Sequence, residues 1–126
     1  MTYGGHPVAA AVALETLKIY EEMDLPKRVK SMGKMLASAL EGLAQLPNVA
    51  RVRSDGLIGA FDLVPDAAGE GIAGGRVAKA AQELGLLYRV VGDTIALAPP
   101  MIITETEIGE VAYRLKNAIQ TAGEAH

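Results

Sequence analysis

The spacing of apolar and polar positions along the chain predicts eight secondary-structure elements. Apolar residues at helical spacing predict four helices: from residue 7 to about 22, from 26 to the stop at 47–48, between Gly75 and Gly85, and from 104 onward. Short apolar runs predict four strands, at residues 49–53, 57–64, 86–90 and 94–98. The order is therefore α-α-β-β-α-β-β-α. Hairpins mixed with helices predict an α+β fold, a small antiparallel sheet with helices on one face.

Local signals place the ends of these elements. Asp24 is expected to cap the second helix, which has Pro26 in its first turn. Turns are expected at residues 54–56 and 92–93, and the stretch 65–75, which holds four glycines, is expected to be a loop. Residues 104–107 read Thr-Glu-Thr-Glu, a capping box that predicts the start of the last helix.

The first helix is apolar on every side in its first half. Residues 8–14 are all Val, Ala or Leu. A helix of this kind is normally buried all round, which is difficult to arrange within 126 residues. The pattern therefore predicts that another domain or subunit covers this helix.

Composition excludes several classes of function. Half of the residues are hydrophobic and 21% are charged, which is typical of a folded domain and not of a disordered chain. A net charge of −3 is the wrong sign for a nucleic-acid-binding surface. The chain has no cysteine, hence no disulfide or thiolate metal site, and no apolar run reaches the length of a membrane span. A cytoplasmic protein with no nucleic-acid or membrane partner is expected.

Few residues suggest chemistry by their type alone. The two histidines, His6 and His126, have no second His or Cys beside them, so no metal site is predicted. No pair of carboxylates stands out as a general acid and base. The glycines at 69, 71, 74 and 75 fit neither nucleotide-binding fingerprint and favour a surface loop.

Arg89 is the stronger candidate for binding. It lies in an otherwise apolar strand, where it is either a charge that protects a sheet edge or a planar fork presented to a ligand carboxylate. Thr2 offers a hydroxyl and a backbone N–H, and the glycines at 4 and 5 allow close approach to a phosphate, but this short pattern is too common to identify a site by itself.

Three blocks of sequence together resemble the C-terminal part of class III pyridoxal-phosphate aminotransferases, which have fold type I. They are TYGGHPVA at residues 2–9, RSDGLIGAFDLV at 53–64, and GLLYRVVGDTIALAPPMIIT at 85–104. The blocks occur in the family's order and at its spacing, and they cover almost the whole chain.

The resemblance implies roles for individual residues. Thr2 would bind the phosphate of pyridoxal 5'-phosphate across a dimer interface, and Gly5 and His6 would shape the turn beside that cofactor. Arg89 would hold the substrate carboxylate and swing away from substrates that lack one. His6 favours the omega-amino acid–pyruvate type, whereas Val90 departs from the proline that usually follows the arginine.

The resemblance also implies a division of the chain. Residues 1–23 would be an interface helix leading from a large domain, and residues 24–126 the small C-terminal domain. The lysine that forms the Schiff base belongs to the large domain upstream, so no catalytic residue is assigned here, and the chain alone is expected to be inactive. The six lysines present lie on helices among polar neighbours: Lys18, Lys27, Lys30, Lys34, Lys79 and Lys116.

The parent enzyme implied in this way is a homodimer. It would move an amino group between an amine or amino acid and a 2-oxo acid such as pyruvate. Two alternatives stay open from the residues alone: a free-standing regulatory or ligand-binding module that holds a small carboxylate through Arg89, and a purely structural dimerisation domain.

Overall fold

The computed structural model describes residues 4–124, which form four helices and four strands in the predicted order. The helices are α1 (Pro7–Glu22), α2 (Leu25–Leu43), α3 (Ile72–Glu83) and α4 (Glu105–Glu124). The strands are β1 (Val49–Asp55), β2 (Ile58–Leu63), β3 (Arg89–Val91) and β4 (Thr94–Leu97). Thr2 and His126 lie outside the described residues.

The strands form one antiparallel sheet in the order β1-β2-β4-β3. The pairs Asp55↔Ile58 and Val91↔Thr94 close two hairpins, each with two residues in its turn. A third antiparallel pairing joins β2 to β4, so β3 lies at one edge of the sheet.

The core lies between one face of this sheet and three helices, which confirms the predicted α+β arrangement. Phe61 of β2 and Ile95 of β4 are directly opposite each other, and both are fully buried. Each contributes about 1.5–3 kcal/mol through burial. The helices α2, α3 and α4 supply most of the other buried apolar side chains, among them Leu36, Leu40, Val77, Ala81, Leu115 and Ile119.

The start of α3 differs from the sequence prediction. The helix begins at Ile72 rather than after Gly75, so Gly74 and Gly75 are helical and only residues 65–71 form the loop. The carboxylate of Asp93 accepts the backbone N–H groups of Gly71 and Gly74. A residue some 20 positions downstream thus satisfies the first donors of the helix, and no local pattern reveals such a cap.

Other boundaries moved by a few residues. β1 extends to Asp55, so the first turn falls at Gly56–Leu57, and β3 starts only at Arg89. Asp24 precedes α2 in a left-handed conformation, φ 44°, and its side chain makes no capping hydrogen bond. The capping box is confirmed: the Thr104 N–H and hydroxyl each donate to Glu107 Oε2 at 2.8 Å.

Helix α1 has no buried residue and packs mainly against α2. Val12 is 61% exposed and Leu14 63% exposed, although both are aliphatic. The accessible surface of the chain is 8269 Å², against about 6,400 Å² for a compact protein of this mass. The apolar side chains of α1 are therefore left uncovered by the other described residues.

We expect the chain to self-associate through α1, because an uncovered apolar helix gains free energy by being buried. Analytical sedimentation at tens of micromolar should show a dimer or larger species. The double variant Val12→Glu/Leu17→Glu should shift the chain toward monomer, whereas Ser31→Glu/Ser38→Glu, at exposed positions of α2, should not. If the chain without substitutions is a monomer at this concentration, the expectation is wrong.

Candidate functional site

The face of the sheet opposite the helices, here called the outer face, carries the arginines of β1 and β3, Asp62 of β2 and Thr94 of β4. Strand side chains alternate between faces, so the residues that flank the buried Phe61 and Ile95 point outward. The pairing places Arg53, Ala60, Ala96 and Arg89 side by side across β1, β2, β4 and β3. Two arginines thus lie at opposite edges, with two alanines between them.

A second row on the outer face is held together by Asp62. Its carboxylate accepts from Arg53 Nη1 at 2.6 Å and from the Thr94 hydroxyl at 2.8 Å. The hydrogen bond from Arg53 is the main reason that the pKa of the Asp62 carboxyl is lowered from its ordinary value. Three strands are therefore tied together by one carboxylate.

Arg89 has no such partner. Its side chain is exposed on edge strand β3, opposite Ala96, and it makes no hydrogen bond or ion pair with any residue between 4 and 124. Four of the other arginines bond to carboxylates or backbone carbonyls: Arg28, Arg53, Arg76 and Arg114. All the donors of the Arg89 guanidinium are therefore available to a ligand.

A groove of about 630 Å³ adjoins Arg89. Its walls are the segment before β3, the Pro99–Pro100 turn after β4, and the first turns of α4. The Arg28 guanidinium fixes the turn by donating to the carbonyls of Met101, Ile102 and Ile103. Most of the lining is apolar, and its charged members are two arginines, Arg89 and Arg114, and two glutamates, Glu107 and Glu110.

Tyr88 also lines this groove. Its hydroxyl oxygen is buried and has no hydrogen-bond partner among residues 4–124. Burial raises the pKa of Tyr88 to about 12, so the phenol stays protonated at neutral pH and keeps an unused donor.

The other predicted site residues lie at the start of α1. Gly5 has φ 85°, a left-handed conformation that suits glycine, and the His6 carbonyl accepts the Ala10 N–H at 2.9 Å. Both residues are exposed, and neither lines the groove beside Arg89. Thr2 is outside the described residues, so its predicted role is not tested.

Within residues 4–124, the lysines and the start of α1 lie at the surface. All six lysines are exposed, and so are Gly5 and His6. A cofactor-binding lysine is normally desolvated. We therefore derive no cofactor chemistry from this chain alone; what its geometry offers is a free guanidinium that can bind a carboxylate.

Sequence reasoning missed two residues of this region. Asp62 lies at an outward position of the strand IGAFDL. A charged residue between two apolar ones in a strand indicates a polar contact on the exposed face, so the sequence contains a signal for it. Asp93 was assigned only to a turn, because its two hydrogen bonds to the start of α3 are long-range.

The fold and the outer face define an α+β domain with an arginine available for anion binding. Residues 1–119 match the family described as aminotransferase class-III, and the chain belongs to that family.

Proteins with similar sequences are described as aminotransferases or transaminases. The chain is 37% identical to an uncharacterized aminotransferase, y4uB, of Sinorhizobium fredii, with 95% of the chain and 28% of the relative covered. It is 34% identical to gamma-aminobutyrate transaminase 1, mitochondrial, of Oryza sativa subsp. indica, with 98% and 25% covered. The chain therefore spans about a quarter of the length of these curated relatives.

Solved structures agree with the fold. An omega transaminase from Pseudomonas jessenii in complex with PMP is 39% identical, with a TM-score of 0.91 over 98% of this chain and 29% of that one. A structure described as a transaminase with L-Ala is 36% identical, with a TM-score of 0.93 over 99% and 31%. Within residues 4–124, no helix is long and apolar enough to span a membrane.

We expect the Asp62 network to give the fold a pH dependence. Because the folded pKa of Asp62 is lowered, its contribution is present above the ordinary value of about 3.9 and is lost as pH falls through the folded pKa. Urea unfolding should show the free energy of unfolding falling as the pH is lowered from about 5 to 2. In Asp62→Asn the loss over this range should be smaller, by about 1 kcal/mol or less.

Arg53→Gln should flatten the same slope, since Arg53 supplies the main hydrogen bond. Arg51→Gln is the control, because Arg51 acts on Asp62 only through a weaker coulombic interaction. An unchanged slope in Asp62→Asn would show that the network does not stabilise the fold.

Proposed function

We propose that the whole protein is a pyridoxal-phosphate-dependent transaminase of the omega-amino acid–pyruvate type. It moves an amino group between an amine or amino acid and a 2-oxo acid such as pyruvate. Residues 24–126 are its small C-terminal domain, and residues 1–23 link that domain to a large domain that supplies the catalytic lysine. The family match and the transaminase relatives support this proposal.

The observation that carries the proposal is the free guanidinium of Arg89 on the outer face. A guanidinium and a carboxylate are both planar and form two parallel hydrogen bonds, which fix orientation as well as position. An amino-acid donor and a 2-oxo acid acceptor both carry a carboxylate. One arginine can therefore hold both substrates in the same orientation.

The lack of an internal partner has a second consequence. Ala96 and Ala60 beside Arg89 have only methyl side chains, which leave space across the sheet. The arginine side chain can therefore turn aside without breaking an ion pair within the described residues. That freedom fits an enzyme that accepts both amino acids and amines without a carboxylate.

The cofactor-proximal role belongs to the start of the chain. Pyridoxal phosphate, when bound, supplies the electron sink for amino transfer. We assign Thr2 to its phosphate, across the dimer interface, and Gly5 and His6 to the turn beside it. The left-handed Gly5 and the extended His6 that starts α1 give a backbone able to approach a ligand closely.

The proposed assembly is a homodimer, with the uncovered apolar side chains of α1 buried at the interface or against the large domain. The proposed location is the cytoplasm, on the basis of composition. A rice relative is described as mitochondrial and a tomato relative as chloroplastic. Cell fractionation is therefore the appropriate check.

The alternative is a carboxylate-binding module without catalysis. One observation favours it for this chain alone, namely that every lysine is exposed. The two functions predict different effects of replacing Arg89. In the enzyme the replacement lowers turnover of carboxylate substrates, whereas in the module it weakens carboxylate binding alone.

We expect Arg89→Ala in the whole enzyme to raise KM for L-alanine by roughly 10- to 100-fold, the cost of losing a charge-assisted hydrogen-bonded pair. The KM for isopropylamine, in which a methyl group replaces the carboxylate, should change little. Single-turnover kinetics with donor alone avoid the carboxylate of the acceptor. Arg51→Ala, on the same face, is the matched control, and an equal loss for both donors would overturn the assignment.

A further inference from the structure

The tip of the β3–β4 hairpin is fastened to the first turn of α3 by one side chain. We propose that Asp93 is a positioning residue for Arg89: it fixes edge strand β3, and with it the guanidinium that binds the substrate carboxylate. This inference rests on the proposed function of Arg89.

Asp93 bonds in three directions from the hairpin turn. Its Oδ2 accepts the Gly71 N–H at 3.0 Å and its Oδ1 accepts the Gly74 N–H at 2.9 Å, both partly buried. Its backbone carbonyl accepts the Leu63 N–H of β2 at 2.9 Å. The negative carboxylate also lies at the positive end of the helix dipole, which strengthens the two side-chain bonds. One residue therefore joins β2, the hairpin and α3.

The packing at Gly74 shows how closely the hairpin and α3 approach. A Cβ built on Gly74 would overlap the carbonyl oxygen of Gly92 and lie 3.1 Å from Val90 Cγ1 and 3.2 Å from Asp93 Cα. Only a glycine at this position lets the turn sit directly on the helix. Gly75, the next residue, has open space around the same position.

Strand β3 has little other backbone support. It is three residues long, it is the edge of the sheet, and among the described strands it pairs with β4 alone. Arg89 is four residues before Asp93 and belongs to the same hairpin, so a shift of the tip relative to α3 moves the strand that carries it. A displacement of the guanidinium weakens a bidentate contact more than a single hydrogen bond, since both bonds require alignment.

The test uses the whole enzyme with the variants Asp93→Asn and Gly74→Ala. The first removes one acceptor and the charge, and the second forces the hairpin away from α3. Each should raise KM for L-alanine by roughly five- to twentyfold with little change for isopropylamine, since a misplacement of about 1 Å can cost as much as 100-fold. Amide hydrogen exchange should become faster at residues 89–91.

Gly75→Ala is the matched control. It adds the same methyl group to the same helix in open space. It should keep the unsubstituted enzyme's ratio of the two KM values. Thermal unfolding of every variant separates loss of stability from loss of positioning.

The outcomes also separate this inference from the proposed function. If Arg89→Ala is selective for the carboxylate donor while Asp93→Asn and Gly74→Ala are not, the positioning role is wrong and the function stands. If Arg89→Ala itself shows no selectivity, the proposed function fails. If the Asp93 and Gly74 variants weaken both donors equally, Asp93 acts on stability alone and the inference is overturned.

Discussion

The fold depends on a sheet that buries only one of its faces. Because strand side chains alternate, the burial of Phe61 against Ile95 fixes which residues point outward. A slip of one residue would expose the core and bury Arg89. Hydrophobic packing on the inner face therefore determines the position of polar groups on the outer face, including the arginine that we assign to substrate.

The outer face carries one arginine that is hydrogen-bonded and one that is not. Asp62 joins β1, β2 and β4 through Arg53 and Thr94, so the central strands are held by ionic and hydroxyl contacts. Arg89 on the remaining strand is left without a partner among residues 4–124. A paired arginine stabilises the sheet, whereas an unpaired one is available to a ligand, and the chain contains one of each in a single row.

Most of the fold could be predicted from the sequence, because its signals are local. The capping box at Thr104, the Gly85 stop and the alternation in β2 each act within a few residues. The start of α3 could not, since its cap is Asp93 from another element. Edge strand β3 was predicted too long for a similar reason: pairing with β4, not apolar character, decides where it begins.

The candidate site divides in the same way. Arg89 stands out as a charge in an apolar strand, but only the structure shows that it lacks a partner among residues 4–124 and lines a groove. The roles of Thr2, Gly5 and His6 are predicted from family resemblance. In the proposed enzyme, the large domain would complete the cofactor site to which they belong. The chain spans about a quarter of the length of the curated relatives it matches.

The most direct test of the central claim is a crystal structure of the whole protein with L-alanine or pyruvate bound. The account predicts that both carboxylate oxygens lie about 2.7–2.9 Å from nitrogens of the Arg89 guanidinium, with β3 still paired to β4. A carboxylate bound instead by Arg51 or Arg53, with Arg89 directed into solvent, would contradict it.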